Sequence, residues 1–230
     1  VGRIDLAHMP AFPQSETELL RRYLAKARQY RAAAQPVSAR GLVCDDFPDY
    51  WDEAFAQNGW RDFGTFFGPS NVQAASFFPT VRTGRYHAVH WGGFAGYTAI
   101  HGKGSTADFA SGPVRIVFAM MIGSYFGDWD YPNSLLRAPL ASAPSALAAV
   151  WAGRPQWYSH PLDLGEPIGT VYRLLHHPGY ADYVDVPDLR LSGVQAALMG
   201  DPTLRLRIPA PPRNLGASAT ASQVVLSWLP

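Results

Sequence analysis

The sequence predicts an α/β fold, a mostly parallel sheet flanked by helices, and three observations carry that reading. Ser15-Glu16-Thr17-Glu18 has the form of a capping box, and Leu19, Leu20, Tyr23, Leu24, Ala27 and Tyr30 follow it at helical spacing. Val114 to Ile122 is an almost continuous apolar run rich in branched residues, as expected of a strand covered on both faces. Strand-like and helix-like stretches then alternate up to Arg207, which places helices as the connections between strands.

Taken in order, the capping box opens a helix over about 16–33, broken by Gln35-Pro36. Gly41-Leu42-Val43-Cys44 reads as a short buried strand ending in Asp45 and Asp46. Pro48 is placed to open a second helix through Trp51 and Phe55, with Gly59 as its stop. The aromatic stretch from Trp60 to Phe78, rich in Gly, Pro and Ser, reads as an ordered loop region whose rings cap the core. Tyr86 to His90 is expected to be a strand, with a Gly-rich segment after it, and Val114 to Ile122 another, stopped by Gly123-Ser124. Asn133 to Ser142, Ser145 to Trp151 (closed by Gly153) and Ile168 to His177 read as helices, and Val194 to Leu198 as a strand. Pro209-Ala210-Pro211-Pro212 is a stiff linker.

Composition narrows the function classes. The chain has 230 residues, 47% of them hydrophobic and 16% charged, with a net charge of +1. A chain of this length buries a full core, and charge this sparse argues against disorder, acidic tails and polybasic arms. The basic residues are scattered, so no nucleic-acid footprint appears. The most apolar run, Val117 to Ile122, is far shorter than the roughly 20 residues of a membrane helix, so no membrane insertion is expected. The single cysteine, Cys44, allows no internal disulfide and no Cys-rich zinc site, and reads as a small buried apolar side chain.

Four blocks, in order, carry a family resemblance: Val1-Gly2-Arg3-Ile4; the helix with Leu24, Lys26 and Tyr30; the strand ending in Asp45-Asp46; and Leu198-Met199-Gly200-Asp201-Pro202-Thr203-Leu204. Together they resemble the gingipain-type cysteine peptidases of the caspase-like clan, over residues 1–207. The resemblance implies a caspase-like sheet, an upstream subdomain before Val1, hydrolysis of a protein or peptide substrate through a thioacyl intermediate, and an exported bacterial protein, secreted or held at the cell surface. Residues 208–213 then form a linker, and 214–230 resemble the first strands of a fibronectin type III module, through Pro-x-Asn-Leu at the start and Val224 to Trp228.

In that family a catalytic His ends one core strand and the nucleophilic Cys ends the next, where the carboxyl ends of parallel strands face a crevice. Here those positions fall at His90 and Met120. A thioether cannot ionise and cannot attack a carbonyl. Two readings therefore stand: a hydrolase whose nucleophile is displaced to Ser124, with His90 or alternatively His101 as base, or a catalytically inactive homologue kept for binding or architecture. Asp128 and Asp130 are candidates to hold a basic substrate side chain, to orient a base, or to bind calcium, for which an Asp-x-Asp pair is a weak signal. No other cofactor is implied.

Overall fold

A computed structural model describes residues 2–47, 55–152, 159–175, 196–207, 213–220 and 222–229. The elements run α1 (Glu16–Arg31), β1 (Gly41–Asp46), α2 (Gln57–Phe67), β2 (Val72–Ala74), α3 (Phe77–Thr83), β3 (Tyr86–Gly93), β4 (Ala99–Ile100), β5 (Gly104–Ser105), α4 (Thr106–Ala110), β6 (Ile116–Ile122), α5 (Ala138–Ala141), β7 (Ala148–Ala152), α6 (His160–Asp163), α7 (Ile168–Leu175), β8 (Ala196–Gly200), β9 (Arg213–Ala219) and β10 (Val224–Leu229). The main sheet has six strands in the order β2-β1-β3-β6-β7-β8. All neighbours pair in parallel except β8, which runs antiparallel to β7. The α/β class read from the sequence is what the chain adopts.

The capping box forms as expected: the Ser15 hydroxyl accepts from the Glu18 amide, and the Glu18 carboxylate accepts from the Ser15 amide at 2.7 Å. Every residue of β6 is buried, which is why its apolar run is unbroken. One face of the sheet is covered by α2. Gly41 of β1 and Gly59 of α2 make the close approach possible, since a β-carbon on Gly41 would lie 2.6 Å from the Phe63 side chain and one on Gly59 would lie 2.7 Å from that of His90. The other face is sealed by aromatic rings: Phe77 of α3 stacks on Trp91 at 4.3 Å, with Phe78 and Phe109 edge-on and tilted around them.

The two ends of the main domain meet at one sheet edge. The Gly200 amide donates to the Arg3 carbonyl at 2.7 Å, and Arg3 bridges to Met199. Asp201, just beyond, accepts from Arg31, and its amide donates to the Tyr23 hydroxyl at 2.9 Å, which itself donates to the Leu147 carbonyl at 2.9 Å. The Val-Gly-Arg-Ile and Gly-Asp-Pro-Thr blocks, remote in sequence, are thus one packing unit.

Several elements differ from the sequence reading. Gly59 lies inside α2 and ends nothing; it is there for contact with His90. The stretch from Trp60 to Phe78 is largely α2 and α3, and its rings do cap the core: Phe63, Phe66, Phe77 and Phe78 are buried while Trp60 is 44% exposed. Ser145 to Trp151 contains strand β7 in place of a helix, because its alanines are buried between β6 and β8, where a pleated strand fits and a helix does not. Asn133 to Ser142 holds a single helical turn, α5. The helix read from Pro48, the Gly153 stop, the end of the helix near His177, the start of the strand at Val194 and the linker at 209–212 lie outside the described residues.

Gly200 is the position least able to change. Its φ is +115°, and a β-carbon there would sit 2.4 Å from the Leu147 carbonyl oxygen. Gly200→Ala is expected to destabilise the domain by about 2–4 kcal/mol, measured by urea denaturation. Tyr23→Phe, which strands the Leu147 carbonyl and the Asp201 amide, is expected to cost about 1–3 kcal/mol in the same measurement.

Candidate functional site

The strand order has a switch point. The chain goes outward from β1 to β2 and returns to β3 on the other side, so the switch point lies between the carboxyl ends of β1 and β3, the place where open α/β sheets form a ligand crevice. Its walls are Asp45-Asp46 from β1, Gly92-Gly93 from β3 and Ile122-Gly123 from β6. The glycines let these ends close up: a β-carbon on Gly93 would meet Ile100 at 2.5 Å, and one on Gly123 would lie 2.7 Å from the Gly93 carbonyl oxygen. Asp46 accepts from the Trp91 indole at 3.2 Å and pairs with Lys103 at 2.9 Å. Asp45 accepts from the Phe47 amide at 3.1 Å; burial, with the Asp46 charge adding to it, raises its pKa.

His90 lies below this rim. Strand β3 continues through Trp91, Gly92 and Gly93, so His90 is inside the strand instead of at its end, 4% exposed and paired in register with Met120 of β6. Its ring lies on the face covered by α2, and its Nδ1 is buried with no hydrogen-bond partner among the described residues. Burial lowers its pKa to about 4, so the imidazole is neutral near pH 7. Beside it, Asp62 of α2 accepts from the Ser159 amide at 3.3 Å, and the Ser159 hydroxyl lies 3.9 Å from the Met120 sulfur. Burial pushes Asp62 up to about 6, against the hydrogen bonds from Ser159. This buried polar group had no sequence signal, since Asp62 and Ser159 are remote in the chain and neither stands in a motif.

Ser124 is exposed, one residue past the glycine that ends β6. The next residue, Tyr125, has φ +67°, which costs a bulky side chain roughly 1–2 kcal/mol. The turn is closed by Phe126 donating to the Ser124 carbonyl at 2.9 Å and Asp128 donating to the Tyr125 carbonyl at 3.0 Å, and it is pinned by the Trp151 indole on the Gly123 carbonyl at 2.7 Å. His101 is exposed, on the loop after β3, with its amide on the Phe94 carbonyl at 2.7 Å. No hydrogen bond joins Ser124 to His90 or His101. Cys44 is buried within β1, and burial together with the Asp46 charge pushes its thiol up, so it holds no thiolate at neutral pH.

Asp128 and Asp130 are exposed and in no ion pair among the described residues. They lie beside a group of tyrosines the sequence reading did not single out. Tyr97 and Tyr131 stack at 4.0 Å with 13° between their planes, and Tyr125 leans on Tyr97 at 5.4 Å. Among the described residues, no group of three or more His, Cys, Asp or Glu side chains is placed to hold a metal ion, and no helix is long and apolar enough to cross a membrane.

With this geometry in view, the chain is similar to a solved structure, that of the Arg-specific cysteine proteinase gingipain R. The TM-score is 0.58 at 13% sequence identity, over 90% of this chain and 57% of the other. At that identity the likeness establishes the fold: a caspase-like α/β domain with a mostly parallel central sheet. The chain spans a little over half of the gingipain's length. No family model and no curated protein matches the sequence.

The two buried groups set opposite pH dependences. His90 is lowered from 6.5 to about 4, so as pH falls through that window the unfolded chain takes up a proton that the folded one does not, and stability is lost. Asp62 is raised from 3.8 to about 6, so its contribution is present at low pH and is lost as pH rises through 6. The terms oppose each other between about pH 4 and 6. His90→Gln is expected to lose less stability than the wild type on acidification from pH 6.5 to 4, and Asp62→Asn more, each by on the order of 1–3 kcal/mol in pH-resolved denaturant titrations.

Proposed function

We propose that this is a gingipain-like domain of an exported bacterial protein that binds a protein or peptide ligand at the crevice without hydrolysing it. The observation that carries the reading is the composition of the rim. Where thiol catalysis needs an ionisable sulfur and a reachable imidazole, the described ends of β3 and β6 offer Gly92, Gly93, Gly123 and, exposed beyond them, Ser124, while Cys44 and His90 are enclosed in the sheet. A base without access to solvent or to the nucleophile cannot take its proton. Asp128 and Asp130, exposed beside the crevice, suit a basic side chain of the ligand. The hairpin β9–β10, a two-stranded sheet of its own, is read as the start of a fibronectin type III module. A lone hairpin is marginal in water, which favours a larger β-module around it.

One observation favours a second reading. An exposed serine directly before a residue in the left-handed region, at the carboxyl end of a parallel strand, has the strained turn of a displaced nucleophile, for which His101 is the accessible base.

Cleavage of a fluorogenic peptide library decides between them. The proposed function expects turnover of the wild type no higher than that of Ser124→Ala or His101→Ala. Turnover that vanishes in both variants, with thermal stability unchanged, establishes a serine-type hydrolase instead.

A further inference from the structure

Among the described residues, Tyr125 is the bulkiest of the four non-glycine residues at positive φ, with His8, Ala33 and Asn133. A bulky residue at φ +67° is strained, and a glycine would relax the turn at the loss of one ring contact, since Tyr125 is 60% exposed. The strained turn carries this ring just past the carboxyl end of β6. That ring leans on Tyr97, whose face is stacked on Tyr131, itself 43% exposed, so the rings stand side by side as a ribbed aromatic surface. Asp128 and Asp130 lie on the same turn. Arg3, stacked on Trp129 at 3.8 Å, and Arg137 both pair with Asp5, and the Asp130 charge also acts on Arg137, so the three carboxylates outnumber the two guanidiniums and the turn is net negative.

We infer that this surface docks an extended, proline-rich segment of a separate partner protein, with a basic residue at one end of it. The inference rests on the binding reading above and specifies its ligand. Rigid aromatic ridges fit the prolines of a polyproline II helix, whose ring faces pack on tyrosine and whose ordering cost is already met in the free peptide. Such a helix leaves its carbonyls unbonded, and the phenol hydroxyls at the ridge edges are donors for them. The carboxylates of Asp128 and Asp130 meet an arginine or lysine beyond the last proline, which sets the direction of the chain across the ridges. A flat aromatic platform also stacks sugar rings, but the exposed acidic pair and the net negative charge of the turn favour a cationic end on the ligand.

The test is fluorescence polarisation of two labelled probes, a plain oligoproline and the same peptide ending in arginine, against the full chain. The expected result is saturable binding of both, tighter for the arginine-ended probe. Tyr125→Gly is expected to weaken both by about tenfold or more while raising the melting temperature by about 2–4 °C, because it removes the strain together with the ring. Tyr131→Ala weakens both probes alike. Asp128→Asn with Asp130→Asn removes the preference for arginine and leaves plain oligoproline binding intact. The inference is overturned by the absence of saturable binding, by equal binding of a Gly/Ser peptide, by binding that survives Tyr125→Gly and Tyr131→Ala, or by binding of soluble oligosaccharides in place of the peptides. Concentration-dependent self-association lost in Tyr125→Gly would place a second copy of the chain on the surface and overturn the separate partner. Cleavage of a bound probe would refute the non-hydrolytic reading while leaving the docking inference standing.

Discussion

The approach of Gly200 to the Leu147 carbonyl is the contact on which the rest of the architecture depends. A strand running antiparallel to an otherwise parallel sheet needs its end held, and here the hold is made where backbone meets backbone too closely for any side chain. Arg3 then lies on Met199, and Asp201 turns back to the hydroxyl of Tyr23 and the guanidinium of Arg31. The first residues of the domain, helix α1 and the last strand of the sheet are thereby fixed to each other before the functional edge is reached. The blocks that carry the family resemblance at the two ends of the domain are this junction.

From that anchor the opposite edge of the sheet is free to vary. The carboxyl ends of β1, β3 and β6 carry no part of the junction, and their residues are constrained only by mutual fit: Gly93 against Ile100, Gly123 against Gly93, Asp46 between Trp91 and Lys103. Catalytic groups sit at such edges because loops there are cheap to change. Trp91, buried in β3, donates its indole N–H to Asp46, which commits that carboxylate to a structural bond and to the lysine beside it.

The sequence made much of this legible, and its failures have physical causes. The capping box at Ser15 and the apolar run ending at Ile122 were readable because one is a local hydrogen-bond pattern and the other a consequence of burial on both faces. Ser145 to Trp151 misled because alanine is a good helix former by itself, and only the neighbouring strands β6 and β8 make the segment extended. Gly59 and Gly92-Gly93 looked like terminators because glycine usually is one. Here each removes a β-carbon where a neighbour packs, against His90 for Gly59 and against Ile122 and Ile100 for the pair in β3. That second misreading moved the apparent end of β3 back to His90 and gave a buried histidine the place of a rim residue. The crevice tyrosines were invisible in sequence, since Tyr97, Tyr125 and Tyr131 meet only through the turn that follows β6.

Backbone strain and exposure coincide in the turn after β6. In the anchor the left-handed position is held by Gly200 and the polar atoms are satisfied. In the turn a tyrosine keeps a conformation that glycine would hold more easily, and its ring stays 60% exposed. Stability alone does not account for such a residue, because the substitution that would improve stability is also the simplest one available. The turn therefore holds the ring at the expense of backbone strain, and an exposed ring beside two exposed carboxylates is the surface proposed for recognition. The buried His90, Asp62 and Ser159 show the converse: chemistry-bearing residues whose burial shifts His90 and Asp62 in opposite directions, set by packing instead of by a ligand.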